Sequence, residues 1–313
     1  MTTSSRITEI LKCILVNAPG GINLAVPAET ICQSRPLRRS SFWRESLATR
    51  DDRTLVTEWD GLKLRGLASA RMSSGPRAWM IDRLFLPKKD SLTEPFSSTG
   101  LELLEAVAQA AGQHRAERVF LRVPSDSPVI KIAQRTGYYP YYEEVHLQGQ
   151  PAGRPGLHNP DSSGGEYPLV PLMPQDELSL FQLYCAATPQ QVRAGYGLTL
   201  NQWRDGQEGP LHRPAEDTTW EGVRMTGWLA LDFHGGVWAG RVLHRPDHPE
   251  ILASLLATAC DRPGEQSWLV PDYQEPVVTT LLRNGLTEAG RYTMLIKTVA
   301  VPVVSREYSM AEA

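Results

Sequence analysis

Three adjacent segments in the first half of the chain alternate apolar and polar residues, which is typical of half-buried strands. They cover residues 53–59, 62–72 and 77–86. Asp60-Gly61, a strong hairpin signal, joins the first two segments. We therefore predict a three-stranded antiparallel meander.

The spacing of apolar residues becomes helical after the meander. One face of a predicted helix is formed by Leu101, Leu104, Val107, Ala108 and Ala111. Gly112 is expected to end this helix. A strand at 118–123, a helix from Pro128 to near Gly137 and a strand at 141–147 follow. Strand, helix and strand in succession predict a right-handed crossover that places 118–123 parallel to the last meander strand.

The second half of the chain repeats this order of elements. Residues 126–138 align with residues 274–286, and the alignment matches proline, valine, arginine and glycine at four positions. The predicted strands lie at 167–172, 224–233, 237–243, 267–270 and 291–299, and the predicted helices at 175–185, 250–259 and 276–284. The period is far too long for a solenoid, so two similar domains in tandem are expected.

The predicted fold is α/β, with each domain a mixed, mostly antiparallel sheet flanked by helices. The first domain covers residues 1–148 and the second covers 167–313. Between them, residues 149–166 are dense in glycine and proline and are interpreted as a linker. We expect a monomer in which the two domains pair like the subunits of a dimer. The role of residues 1–50 stays open.

Composition limits the classes of partner. The 313 residues carry a formal net charge of -3, which gives no general attraction for nucleic acid or an anionic membrane. Four cysteines lie far apart without a Cys-x-x-Cys pair, so we predict reduced thiols in the cytoplasm and no metal site. Glu9 and Lys12 interrupt the apolar residues near the N terminus, which is typical of an amphipathic helix rather than a leader or membrane span.

A meander, a crossover helix, a parallel strand and a short helix ending in glycine and an aromatic residue resemble the GNAT acyltransferase superfamily. Residues 81–87, Ile-Asp-Arg-Leu-Phe-Leu-Pro, look like the fourth strand of that family. Residues 126–138 look like its Asn-Pro-x-x-x-x-x-Tyr-x-x-x-Gly-Phe segment. The resemblance covers residues 50–148 well and 166–300 more faintly. It implies transfer of an acetyl group from acetyl-CoA to an amine of a small molecule or peptide.

The resemblance also implies a coenzyme A site in the first domain. In such proteins the backbone amides at the turn into the crossover helix hold the pyrophosphate. The implied contacts are Leu84 and Leu86 on the fourth strand and Ser97, Ser98, Thr99, Gly100 and Leu101 around the turn. Pro95 and Ser98 replace two residues of the family's phosphate motif, and Gly100 is kept. If Gly100 merely begins the helix as its N-cap, aspartate there would leave stability nearly unchanged.

The second domain departs further from the phosphate motif. Its corresponding turn, residues 243–248, has no glycine and carries Asp247 where a phosphate would lie. We therefore expect coenzyme A to bind once per chain, in the first domain.

The family's usual general acid is a tyrosine four residues before the helix-ending glycine, and this position is Ala133 in the first copy. The remaining candidates are Asp82 as a base acting through water and Tyr139 as an acid, with Tyr141 and Tyr142 as further choices. The plainer interpretation of Asp82 is a solvent-facing strand residue paired with a neighbouring cation. For the tyrosines it is packing at a rim or in a core.

Two functions stay open. In the first, the protein is a divergent acyl-CoA-dependent N-acyltransferase whose second domain completes the substrate cleft. In the alternative, both copies have lost cofactor binding, and the protein is a catalytically dead binding module. Gly100 and the hydroxyl-rich turn favour the enzyme, whereas Pro95 and Ala133 favour the binding module.

Overall fold

The computed structural model describes residues 23–32, 52–61, 63–86, 94–152, 167–208 and 215–300. These ranges contain eight α-helices and eleven β-strands. The helices are α1 (Ala28–Cys32), α2 (Glu94–Gln113), α3 (Val129–Arg135), α4 (Glu177–Ala187), α5 (Gln190–Tyr196), α6 (Leu200–Gly206), α7 (Pro249–Cys260) and α8 (Glu275–Arg283). The strands are β1 (Arg53–Asp60), β2 (Lys63–Met72), β3 (Ala78–Phe85), β4 (Arg118–Pro124), β5 (Tyr139–Gly149), β6 (Val170–Pro171), β7 (Ala215–Glu221), β8 (Arg224–His234), β9 (Val237–His244), β10 (Glu265–Pro271) and β11 (Thr287–Thr298).

All of these strands join one sheet, in the order β1-β2-β3-β4-β11-β5-β10-β9-β8-β7-β6. The pairings of β3 with β4 and of β9 with β10 are parallel, and the other described pairings are antiparallel. In each half a long helix, α2 or α7, connects the meander to the parallel strand. The structure therefore confirms the predicted mixed, mostly antiparallel α/β fold in two tandem copies.

The two halves exchange their last strands. β11 lies between β4 and β5, and β5 lies between β11 and β10. Met294 of β11 is paired with both Arg122 of β4 and Tyr142 of β5. Each half thus completes the sheet of the other, and the halves cannot part without breaking backbone hydrogen bonds along the central strands.

Helices cover both faces of this sheet. On one face α2 and α3 bury the first-half core around Trp79, Leu104 and Leu121, and α7 and α8 bury a second core around Leu255 and Trp268. On the opposite face, side chains of β3, β4 and β11 pack against α5 of the second half. The second half therefore covers part of the first half's sheet, and the site lies at this junction.

Several predicted boundaries were wrong. Helix α2 begins at Glu94 and continues through Gly112, so that glycine does not end it. Gly112 instead packs closely on Val299, whose Cγ1 would lie 2.6 Å from an added Cβ. The strand predicted at 167–172 is shorter in the structure, where β6 covers Val170–Pro171. Strand β7 was not predicted.

The predicted linker falls mainly on residues 153–166, which lie outside the described residues. None of the helices in the described ranges combines the length and apolar character that a bilayer crossing requires.

Candidate functional site

Each parallel strand pair separates towards its carboxyl end. In the first half the pairing of β3 with β4 ends at Ile81 and Leu121. In the second half the pairing of β9 with β10 ends at Gly240 and Trp268. Both pairs of strands continue beyond these residues, so a cleft opens between them. Crevices at the carboxyl ends of parallel strands are common ligand sites in α/β folds.

The chain itself fills the cleft of the first half. Residues 23–26 run between β3 and β4 and bond to both. The Leu24 N–H donates to Leu84 O, and the Val26 N–H donates to Arg122 O, each at 2.9 Å. This segment bridges β3 and β4 where their own pairing has ended.

Asn23 completes the closure. Its Nδ2 donates to Asp82 O at 2.9 Å, and its Oδ1 accepts from the Leu84 N–H at 2.8 Å. Ala25 is fully buried in the first-half core. Both backbone groups of Leu84 are thus bonded to the chain and are not available to a ligand.

The cleft of the second half opens into a cavity of about 720 Å³, a volume typical of small-molecule sites. Arg241 and Leu243 of β9 and Leu269 and Pro271 of β10 line it beyond the last paired residues. Its wall also includes residues of α1, α4, α5 and α6 and of strands β4 and β5. The cavity is therefore built by both halves of the chain.

A buried ion cluster joins the two halves at this cavity. Arg122 is 3 % exposed, and its Nε donates to Glu144 Oε2 at 2.5 Å. Its Nη2 donates to Glu208 Oε1 at 2.6 Å and its Nη1 to Glu208 Oε2 at 3.2 Å. Burial raises the pKa of Glu144 despite the nearby Arg122. Burial also opposes ionisation of Glu208, but Arg122 outweighs it and lowers the pKa of Glu208.

Helix α1 adds a second group of polar residues to the cavity wall. Glu29 is ion-paired with Arg71 of β2, and burial raises the pKa of Glu29. Burial raises the pKa of the Cys32 thiol to about 12 even though Ser267 hydrogen-bonds to it. Cys32 is therefore a neutral thiol and a poor nucleophile at neutral pH.

Aromatic side chains form much of the remaining wall. Tyr142 donates its hydroxyl to Glu144 Oε1 at 3.3 Å, and its ring lies 5.9 Å edge-on from the ring of Tyr273. Burial raises the pKa of Tyr142 well above its usual value, so this hydroxyl keeps its proton. Tyr142 and Glu144 together place a proton donor next to a carboxylate in the cavity.

The two predicted catalytic residues lie elsewhere. Asp82 is buried rather than solvent-facing, and its Oδ2 accepts from Arg53 Nη1 at 2.8 Å. Tyr139 is 46 % exposed. Neither residue lines the large cavity. Of the tyrosines considered from the sequence, the structure brings Tyr142 to the cavity.

The predicted phosphate turn is not a turn. Residues 97–101 lie inside α2, and Gly100 is buried against α3. A Cβ at Gly100 would lie 3.1 Å from Ile132 Cγ2 and 3.3 Å from Leu86 Cδ1. The glycine therefore allows two elements to pack closely, and its interpretation as the helix N-cap is wrong.

Asp247 in the second half is not an isolated charge. Its carboxylate is paired with Arg245 at 3.2 Å and with Arg224 at 3.4 Å. Arg245 of the loop between β9 and α7 and Arg224 of β8 thus share this one carboxylate. The expectation that Asp247 repels phosphate does not account for these two arginines.

The ion cluster was missed at the sequence level. The signal available was a charged residue in an otherwise apolar strand: Arg122 in Arg-Val-Phe-Leu-Arg-Val-Pro. Its partner Glu208 lies 86 residues away in sequence, at the end of a helical region with no pattern that links it to β4.

Comparisons with known proteins give structural neighbours only. No family model matches the chain, and no curated protein matches it. A GCN5-related N-acetyltransferase from Sphaerobacter thermophilus is 14% identical with a TM-score of 0.49, and the match covers 83% of this chain and 85% of that one. A tandem GNAT protein from the clavulanic acid biosynthesis pathway is 12% identical with a TM-score of 0.48, and the match covers 96% of both chains.

A GCN5-related N-acetyltransferase from Kribbella flavida is 12% identical with a TM-score of 0.49, and the match covers 95% of this chain and 70% of that one. The fold is defined by the chain's own elements: meander, crossover helix, parallel strand, short helix and final strand, present twice. Each half of the protein therefore repeats the order of elements that was predicted from the sequence.

Proposed function

We propose that the protein is an acyl-CoA-dependent N-acyltransferase whose acyl donor enters the cleft of the second half and whose amine acceptor occupies the large cavity. The observation that carries this proposal is the difference between the two clefts. Residues 23–26 bond across the first cleft, whereas the second opens into about 720 Å³. The proposal moves the donor site from the first half, where the sequence resemblance implied it, to the second.

The loop that follows β9 supports the same assignment. Arg224 and Arg245 meet at the carboxylate of Asp247, and all three side chains are partly accessible. A phosphate that displaced Asp247 would gain two charge-assisted hydrogen-bond donors. These arginines compensate for the missing glycines, because guanidinium groups bind phosphate without the close backbone approach that glycine permits.

Tyr142 and Glu144 supply the proton transfers. Acyl transfer forms a bond from the amine nitrogen to the acyl carbon and breaks the bond from that carbon to sulfur. The amine loses a proton and the departing sulfur takes one. In the proposal the Glu144 carboxylate accepts the first proton and the Tyr142 hydroxyl donates the second. Burial makes Glu144 a stronger base and keeps the Tyr142 hydroxyl protonated at neutral pH, so Tyr142 has a proton to donate.

The test is thiol release from acetyl-CoA in the presence of a panel of primary amines. Tyr142→Phe should lower kcat by about 10²-fold or more while leaving acetyl-CoA binding unchanged. Tyr139→Phe is the matched control, because that exposed tyrosine lies off the cavity, and it should behave as wild type. A larger loss in Tyr139→Phe than in Tyr142→Phe would refute these roles. Absence of both acetyl-CoA binding and turnover of any amine would favour the binding module.

A further inference from the structure

The cavity wall carries more negative than positive side chains. Six carboxylates of the described residues line it: Glu29, Glu144, Glu177, Glu208, Glu216 and Asp232. Three guanidinium groups line it: Arg122, Arg204 and Arg241. Arg71, behind the wall, is paired with Glu29. Carboxylates therefore outnumber guanidinium groups by two, with Arg71 included.

One of the two surplus carboxylates lies in the Arg122 cluster, and the other lies on the second half's sheet. Arg122 is occupied by Glu144 and Glu208, and Arg204 is occupied by Glu177. Glu216 and Asp232 remain, and Arg241 is the guanidinium group that acts on Glu216.

These residues lie on one face of three neighbouring strands. Glu216 and Arg241 are both paired with Ala230, and Asp232 lies two residues further along β8. Burial raises the pKa of Glu216 although Arg241 opposes this. A carboxylate whose charge is incompletely compensated in a cavity favours a cationic ligand.

Aromatic rings surround the same space. Tyr184 lies 5.8 Å from Trp203 and 6.1 Å from Tyr196, measured between ring centroids, and all three line the cavity together with Trp228. The Arg241 guanidinium already lies over the Trp228 ring at 5.5 Å. Ring faces attract ammonium and guanidinium groups, most strongly where water is excluded. Aromatic rings and carboxylates together are a site for an organic cation.

A buried hydroxyl supplies an independent sign of a ligand. Tyr184 is 6 % exposed, and among the described residues its Oη has no hydrogen-bond partner. Polar groups buried without a partner are rare because they lose their hydrogen bonds to water. A polar group of a bound ligand would satisfy Tyr184 Oη.

We propose that the cavity binds an organic dication, a diamine whose one nitrogen reacts while the other stays protonated against Glu216, Asp232 and the surrounding rings. The excess of two carboxylates matches the two positive charges of such a molecule. The acylation of one nitrogen rests on the proposed function. The binding of the dication does not depend on it.

The first experiment measures binding without any acyl donor. Cadaverine, its amino-alcohol analogue and its diol analogue have the same chain length and carry two, one and no positive charges. Each is titrated into the full-length protein by calorimetry. The diamine should bind about tenfold more tightly than the amino-alcohol, since each ammonium gains contacts with rings and carboxylates. The diol should not bind. Equal affinities, or no diamine binding at millimolar concentration, would overturn the proposal.

Matched variants locate the site. Glu216→Gln should weaken cadaverine binding about tenfold by removing one uncompensated charge. Glu288→Gln is the control, because this exposed residue is paired with Arg291 on β11 and does not line the cavity. Equal effects of the two variants would contradict the assignment.

Tyr184→Phe is a second variant that tests the same site if Glu216→Gln folds poorly. Loss of an unpartnered buried hydroxyl should leave Tm unchanged or raise it, while binding weakens a few-fold. Wild-type cadaverine binding by this variant would exclude Tyr184 from the site. If cadaverine binds as expected but acetyl-CoA does not, the proposed function fails and the dication site stands.

Discussion

Arg122→Met isolates the ion cluster that joins the two halves. Methionine keeps most of the side-chain volume but removes the cation that holds Glu144 and Glu208. Removing one member of a buried ion pair costs about 3–5 kcal/mol, because the remaining charge is left without compensation. For a chain of 313 residues that corresponds to a fall in Tm of roughly 5–8 °C. The free energy of unfolding in urea is the direct assay.

Arg204→Met is the matched control. Arg204 also makes two hydrogen bonds to one carboxylate, that of Glu177, at 2.5 and 2.6 Å. Its side chain is 47 % exposed against 3 % for Arg122. An exposed pair of this kind contributes about 0–1 kcal/mol, so Arg204→Met should leave the free energy of unfolding almost unchanged.

The pH dependence of the Arg122→Met deficit has a definite sign. Without the cation, the pKa values of Glu144 and Glu208 in the folded state should both lie above those in the unfolded chain. The variant is then most stable below the pKa of a carboxylate in the unfolded chain. It loses stability as the pH rises through the pKa values of Glu144 and Glu208 in the folded state. The deficit should therefore be larger at about pH 8 than at about pH 5. A deficit that matches Arg204→Met, or that grows on acidification, would refute the reasoning.

Three further outcomes are expected. Gly100→Asp places a carboxylate in the tight contact with α3 and should lower the free energy of unfolding by several kcal/mol. Gln109→Asp, on the exposed side of the same helix, should change the free energy of unfolding by about 0.5 kcal/mol or less. Equal changes in Tm for the two variants would contradict this expectation. Burial lowers the pKa of His146 in the folded state. The neutral histidine therefore contributes fully to the free energy of unfolding above the pKa of histidine in the unfolded chain, and this contribution is lost as the pH falls through the pKa of His146 in the folded state. His146→Gln should therefore lose less Tm than wild type between about pH 7.5 and about pH 5. Limited proteolysis should cut first within residues 149–166, and the two fragments should co-elute in size-exclusion chromatography because each supplies a strand to the other; fragments that separate without denaturant would argue against the exchange.

Most elements of the fold could be predicted from local patterns. The meander strands and helices α2, α3, α7 and α8 follow from period-two and helical spacing. The strand exchange could not be predicted, because β5 presents the same alternation whether it pairs with its own half or with the other. The alternation of apolar and polar residues indicates which side chains of a strand face the core. It does not indicate which strand lies next to it in the sheet.

The residues that meet at the cavity could not be predicted for a related reason. Gly100 was interpreted as part of a phosphate turn because it matches the last glycine of the GNAT family's phosphate motif, yet in the structure it allows close packing against α3. The closure of the first cleft depends on single backbone bonds from Leu24 and Val26, which leave no trace in residue type. Tyr142 was among the candidates only because it lies in a run of tyrosines.

The most direct test of the account is calorimetric titration of acetyl-CoA into the full-length protein and two variants. Leu269→Trp fills the second cleft, since Leu269 lines the cavity just beyond the last paired residue of β10. Gln134→Trp adds the same side chain to an exposed position on α3 in the first half. The account predicts one site per chain, loss of binding by at least about tenfold in Leu269→Trp and wild-type affinity in Gln134→Trp. Two sites per chain, or undiminished binding by Leu269→Trp with its fold intact, would contradict it.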